Sequence, residues 1–356
     1  MAYISFQPTD FFNTLLYTGN GSTQSLTGMG FQPDFTWIKT RSNSSNHQIH
    51  NSVAAYSYYY TRPNTSAAQI TSNSTTVTAF DSDGFSLGND GVINESGYTY
   101  ASWNWKGGTT SGIATNGSTT ITPSTYSFSA DAGISILKYT GNDTAGAKVA
   151  HGLGAVPKAI IVKSVGSSNS WNVYHVSNGA TKYMILDSTE SVNTNTNRWN
   201  DTEPDSVNFT LGSTGATNGS GGDSPFMAYC FAEKKGFSSF GGFQGNASTD
   251  GPFCYTGFRP AYVMIKNTSA AEAWNIWDNK RNTPVGSKNA AYTVLEANSD
   301  AAETNGSTGQ VIDMLSNGFK VRTTSTEVNA SGQDMVYFAF AEFPMVSSNS
   351  KSGTAR

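Results

Sequence analysis

Four histidines, two acidic clusters and one run of tyrosines are the residues of this chain whose types and spacing could do chemistry. A histidine works as a base only when the fold brings it a nucleophile and an orienting carboxylate. No GxSxG elbow is present to supply the serine, and His47, His50, His151 and His175 lie among apolar and turn residues. His151 precedes a Gly-Leu-Gly turn, which suits a local backbone hydrogen bond.

Asp81-Ser82-Asp83-Gly84 resembles the start of a calcium loop. Phe85, Ser86 and Leu87 follow it, and the corresponding points later in the chain are Asp205-Ser206 and Ser316-Asn317-Gly318. The slot persists while its charge does not, so a tight turn is expected and no metal site. Asp201, Glu203 and Asp205 form a second acidic group, of the residue type that glycoside hydrolysis needs. Their sequence spacing does not fix the carboxylate separation on which that chemistry depends.

Tyr56, Tyr58, Tyr59 and Tyr60, followed by Arg62, are the first candidate for binding. Tyrosine offers a flat apolar ring with a polar tip, suited to stacking on sugars or to protein contacts. The competing reading is that alternate tyrosines pack one sheet face. Neither catalytic residues nor a cofactor are expected.

The elements that must position these residues are announced by repetition. GMGFQPDFTWIK at 28–39 returns as GLGAVPKAIIVK at 152–163 and YTGFRPAYVMIK at 255–266. Pro33, Pro157 and Pro260 are each followed six places on by Lys39, Lys163 and Lys266. Upstream lie YTGN at 17–20 and 139–142, and FQGN at 243–246. Downstream, Trp171-Asn172-Val173-Tyr174 is echoed by Trp274-Asn275-Ile276-Trp277 and more faintly by His47-Gln48-Ile49-His50. Each unit closes on an alternating aromatic strand carrying Trp103 and Trp105, Tyr229 and Phe231, or Phe338 and Phe340. From proline to closing aromatic the separations are 105 − 33 = 72, 231 − 157 = 74 and 340 − 260 = 80.

Side chains of an extended strand alternate faces with period two. After each proline both faces are largely apolar, which predicts a central strand covered on both sides, with the proline at its mouth and the lysine ammonium reaching water at its far end. Helical periodicity of useful length is absent, and turn signals such as Asp83-Gly84 and Asn317-Gly318 separate short strands. The prediction is an all-β chain of three tandem sandwiches of jelly-roll or lectin-like type. Repeat 1 spans 1–108, a linker with one added strand 109–133, repeat 2 134–240, repeat 3 241–344 and a tail 345–356. Each repeat is expected to close around its own core, built on Trp37, Trp103, Trp105, Phe231, Phe340 and the proline strands.

Charged residues make up only 13% of the chain, 21 basic against 25 acidic, for a net charge of -4. Nucleic acid would need a basic patch, and no stretch approaches the roughly 20 apolar residues of a membrane span. The amino terminus lacks the charged head and apolar core of a secretory signal. Aromatics at 12% argue for a packed fold. Cys230 and Cys254 are read as buried small hydrophobes.

Taken together, YTGNGS, GFQPDFTWIK, FDSDGFSLG, SWNWK, AYCFAEKKGFS and DGPFCYTGFRPAYVMIKNT resemble a repeated domain in structural proteins of tailed bacteriophages, notably marine ones. The similarity runs along nearly the whole chain and breaks at His47–His50, where that family tends to carry a tryptophan. It implies a virion component assembled in the bacterial cytoplasm without export, a partner of other tail or capsid proteins, and a symmetric homo-oligomer. The expected role is a non-enzymatic surface protein, a tail or fibre component that contacts the host through glycans. The alternatives are a capsid decoration protein that clamps the head, and, third, a glycan depolymerase.

Overall fold

The computed structural model describes residues 6–281, 289–305 and 310–344, so the proposed tail lies outside the described residues. The chain is all-β, with antiparallel pairing throughout its named strands and only single-turn helices such as Thr196–Trp199.

Large sheets of one plan recur. In the first, the opening strand Phe12–Thr18 pairs with the closing strand Thr99–Trp105, which pairs with the proline-led strand Phe35–Thr40, then Gln48–Asn51 and Tyr60–Thr61. In the second, Ile134–Tyr139, Phe226–Ala232, Pro157–Ser164, Asn172–His175 and Lys182–Ile185 take the same order. The third follows it with Ser238–Gln244, Asp334–Pro344, Phe258–Asn267, Trp274–Asp278 and Thr293–Glu296. Its opening strand straddles the boundary drawn at residue 240. Here Pro260 lies inside the strand at a bulge and not at its mouth as expected, because a bulge also spares a proline its missing N–H. The linker contributes the added strand Thr125–Ser129, which covers the edge of Ile134–Tyr139.

A smaller sheet packs on each large one: Gln24–Leu26, Gly84–Leu87 and Val77–Asp81; Ala147–Ala150 and Asn208–Leu211; Phe253–Tyr255, Gly318–Val321, Ile312–Leu315 and Ala290–Ala291.

The two faces of the proline-led strands sort cleanly between cores. Ile38 packs with Phe85 and Leu87 inside the first sandwich, Ile160 and Val162 with Phe209 inside the second, and Val263 and Ile265 with Phe319 inside the third. The opposite faces, Phe35 and Trp37, Ala159 and Ile161, Tyr262 and Met264, meet in one further cluster common to all three units. Trp103, Trp105, Tyr229, Phe231, Phe338 and Phe340 of the closing strands complete it. Phe35 lies 4.7 Å from Tyr229, Trp103 5.7 Å from Tyr262 and Phe231 5.7 Å from Phe340, centroid to centroid. Burying each such ring is worth about 2–3 kcal/mol, with about 1 kcal/mol more for a well-set aromatic pair. The expectation of three separately closed interiors is therefore corrected: besides its own core, each unit gives its aromatic face to a shared one.

Polar ties close the ring of units. The lysines do not reach water as expected; Lys39, Lys163 and Lys266 are fully buried. Lys39 Nζ donates to the carbonyls of Thr40 and, in the third unit, Asp300 at 2.9 and 3.2 Å. Lys163 Nζ donates to Asn169 and, in the first unit, Ser66 at 2.6 and 3.0 Å. Lys266 Nζ donates to Asn267, Glu272 and, in the second unit, Thr189 at 2.7, 2.8 and 3.1 Å. The strand ends against a neighbouring unit, so the ammonium finds carbonyls where solvent was expected. Burial lowers each pKa to about 8, which still leaves the ammonium charged at neutral pH.

Trp171 Nε1 donates to the carbonyls of Arg62 and Thr65 at 3.0 and 3.2 Å, and Trp274 Nε1 to that of Ile185 at 2.9 Å. In the first unit His47 occupies this position, its Nε2 3.1 and 3.0 Å from the carbonyls of Glu296 and Ser299. Both sets of ties run in the same rotational sense, first unit to third, second to first, third to second. A third set runs the other way from one register position, that opposite Phe35, Ala159 and Tyr262. There Asn51 donates to the Tyr229 hydroxyl, His175 bonds the Tyr337 carbonyl, and Asp278 accepts from Trp103 Nε1.

Candidate functional site

Most groups with chemical potential are committed to holding backbone. His47 Nδ1 accepts from Trp37 Nε1 at 2.8 Å, His151 Nδ1 from the Leu153 N–H at 3.2 Å, and His175 Nδ1 from the Ser177 N–H at 3.2 Å. Each then has its Nε2 on a carbonyl, which fixes the neutral Nε2–H form. Burial depresses all four histidines, His50 and His175 to about 4. His50 differs: its Nδ1 and Nε2 face the oxygens of Ser57 and Gln48 at 2.9 and 3.0 Å, on a ring buried from solvent.

The carboxylates are engaged likewise. Asp81 pairs with Gly84 across the tight turn expected there, and Asp83 in that turn accepts from the distant Gly28 and Gly30 N–H groups at 3.0 and 2.6 Å. Those bonds hold its carboxyl below the usual range. Glu203 takes the Tyr174 hydroxyl and the Ala180 N–H, and Asp205 takes the Val207 and Asn208 N–H groups. Among the described residues no three His, Cys, Asp or Glu side chains are placed to hold a metal ion. Cys230 and Cys254 are buried and unbridged, as read from the sequence.

The tyrosine run divides between both readings. Tyr60 is buried in the strand Tyr60–Thr61, 5.3 Å from the His50 ring, with Arg62 5.8 Å above its own ring. The other three leave the sheet and cluster at the surface: Tyr56 stacks on Tyr58 at 5.1 Å and 15°, and Tyr59 meets both edge-on at 5.1 and 5.2 Å. Tyr56 is 53% exposed. Desolvation among the rings, with Tyr59 and Tyr56 adjacent, raises the Tyr58 phenol above its ordinary value.

Their backbone is pinned from beneath. His50 Nδ1 lies 2.9 Å from the Ser57 carbonyl, Ser57 Oγ donates to Thr78 at 2.9 Å, and Thr76 Oγ1 donates to the Tyr58 carbonyl at 3.1 Å. Beside the cluster, walled by Ala54 and Ala55, opens a cleft of about 680 Å³ between the first unit and the linker side of the second. Lys106, Tyr126 and Lys138 also line it. Asp34, at its base, is taken up by the Ser52 hydroxyl at 2.5 Å and the Gly107 N–H at 2.9 Å. The arrangement can stack a flat or ring-shaped ligand and hydrogen-bond its rim.

The sequence singled out the tyrosines as candidates but gave no sign of the cleft, because Ala54, Lys106 and Lys138 come from segments far apart in the chain. Three equivalent buried asparagines, Asn94, Asn218 and Asn329, are not among the candidates either. Each donates to two carbonyls and accepts the N–H of Asn20, Asn142 or Asn246 in the YTGN or FQGN turn. A signal existed: the spacings 94 − 20 = 74, 218 − 142 = 76 and 329 − 246 = 83 drift just as the proline spacings do.

The family model described as a domain of unknown function, DUF7483, matches residues 7–344, and the chain belongs to that family. No curated protein and no solved structure matches it.

Proposed function

We propose that this DUF7483 protein is a non-enzymatic structural component of a virus particle, displayed on its surface as a tail or fibre part and contacting host glycans. The observation that carries this reading is the surface cluster of exposed Tyr56 with half-buried Tyr58 and Tyr59, tied at its backbone to a body fused by a common core. Prepositioned rings lose little entropy on binding, so stacking area goes into affinity. Its other partners are neighbouring virion proteins, and it assembles as a symmetric oligomer.

Purified protein should bind host cells or their isolated surface polysaccharide, and Tyr56→Ala with Tyr58→Ala should weaken that binding by about tenfold or more, the loss of roughly two stacking contacts. Binding that is absent, or unmoved by both substitutions, overturns the reading. The decoration-protein alternative draws on the threefold pattern of ties, which suits a local threefold of a capsid lattice. It requires a copy number set by that lattice and particles that lose heat resistance when the protein is stripped away.

A further inference from the structure

Where the second unit meets the third, a polar cleft of about 690 Å³ opens on the same plan as the one beside the tyrosines. In both, the turn leaving the strand after the proline-led strand faces the end of the next unit's opening strand: Ser52–Ala55 against Lys138, and Ser177–Asn178 against Gly242–Gln244. The volume falls within the roughly 300–1,000 Å³ usual for small-ligand sites. Among the described residues no strand pairs with the outer edge of the opening strand Ser238–Gln244 at this junction, whereas its counterpart in the second unit is covered by Thr125–Ser129.

Gly242 stands in that edge strand at the position of Lys138 in the second unit. Glycine inside a strand weakens it, and commonly marks close approach of a ligand or another chain. A Cβ at Gly242 would stand 3.0 Å from the Met335 carbonyl oxygen and 3.2 Å from Ser177 Oγ, so a larger side chain there would crowd this end of the cleft. Lys182 from the second unit and Asp334 from the third both line the cleft, and neither forms an ion pair among the described residues. Phe243 turns its half-buried ring onto the third unit's own core, against Phe319, while Gln244 is exposed at the cleft.

We infer that this cleft is a second saccharide site, taking a short oligosaccharide that bears an acidic residue. Asp334, Gln244 and Ser177 offer acceptors and donors for vicinal hydroxyls, and Lys182 pairs with the sugar carboxylate. The inference rests on the glycan-contact reading above, but uses none of its residues.

The test is calorimetric titration of the full chain with two probes, trigalacturonate and the neutral trisaccharide chitotriose. Trigalacturonate should bind more tightly than chitotriose. Lys182→Gln, at an exposed position that leaves folding untouched, should weaken trigalacturonate by about tenfold while sparing chitotriose, as loss of one charged hydrogen bond dictates. Gly242→Val should abolish binding of both, with an unchanged melting transition reporting that the fold is intact. Tyr56→Ala should leave these titrations unmoved even where it abolishes attachment to host cells, which separates the two sites. No binding of either sugar to the native protein overturns the inference, as does trigalacturonate binding that Lys182→Gln leaves unchanged.

Discussion

The lysines that end the repeated phrase each bond their own unit and a neighbouring one. Lys163 was legible as the end of a strand, but its acceptors were not, since Ser66 lies 163 − 66 = 97 residues away on another unit. Alternation tells which face a side chain takes; it does not tell that the strand's end abuts another unit. Lys163→Ala would leave the carbonyls of Ser66, Ser167 and Asn169 without this donor. It should cost about 2–4 kcal/mol in chemical unfolding.

The histidines set the acid limit. Folded His50 and His175 titrate near 4, below the roughly 6.5 of an unfolded histidine, so between those values the unfolded chain binds more protons. Their stabilising contribution is complete above about pH 6.5 and is lost as pH falls toward 4, with His47 and His151 acting in the same sense. The slope is about 1.4 kcal/mol per pH unit for each histidine, less the opposing effect of Asp187 and Glu296, whose carboxyls burial raises. Melting temperatures measured from pH 7 to pH 4 should fall steadily; a flat profile would contradict the buried neutral assignment.

At the scale of elements, the proline-led and closing strands were readable because both faces of each are apolar at period two, and the faces then sorted between cores as the pattern required. The asparagine-tied turns were not, because a polar residue in a loop of a chain this rich in Asn, Ser and Thr carries no periodic signal. Their architecture explains the glycine of YTGN: a Cβ at Gly141 would sit 2.3 Å from the Gly219 carbonyl. Asn218→Ala removes donors from Thr144 and Gly212 and the acceptor of the Asn142 N–H. It should cost about 2–4 kcal/mol and speed amide exchange in the turn 141–146 more than in the distant turn 19–22. Equal acceleration in both turns would deny the local tie.

On the scale of the whole molecule, three large sheets, each with a smaller sheet packed on it, are tied into a closed ring. The sequence shows the repeats in their order along the chain but says nothing of ring closure, which depends on His47, Trp171 and Trp274 meeting loops of units that precede or follow them. The fused body is what holds the tyrosine cluster and the clefts in fixed relation, so the functional reading inherits its rigidity from the shared core. A chain whose units lean on one aromatic centre should melt together. Differential scanning calorimetry of the full chain tests this most directly: the account predicts one transition with calorimetric and van't Hoff enthalpies in agreement, moved as a whole by Lys163→Ala. Two or three separable transitions, with only one displaced by that substitution, would contradict it.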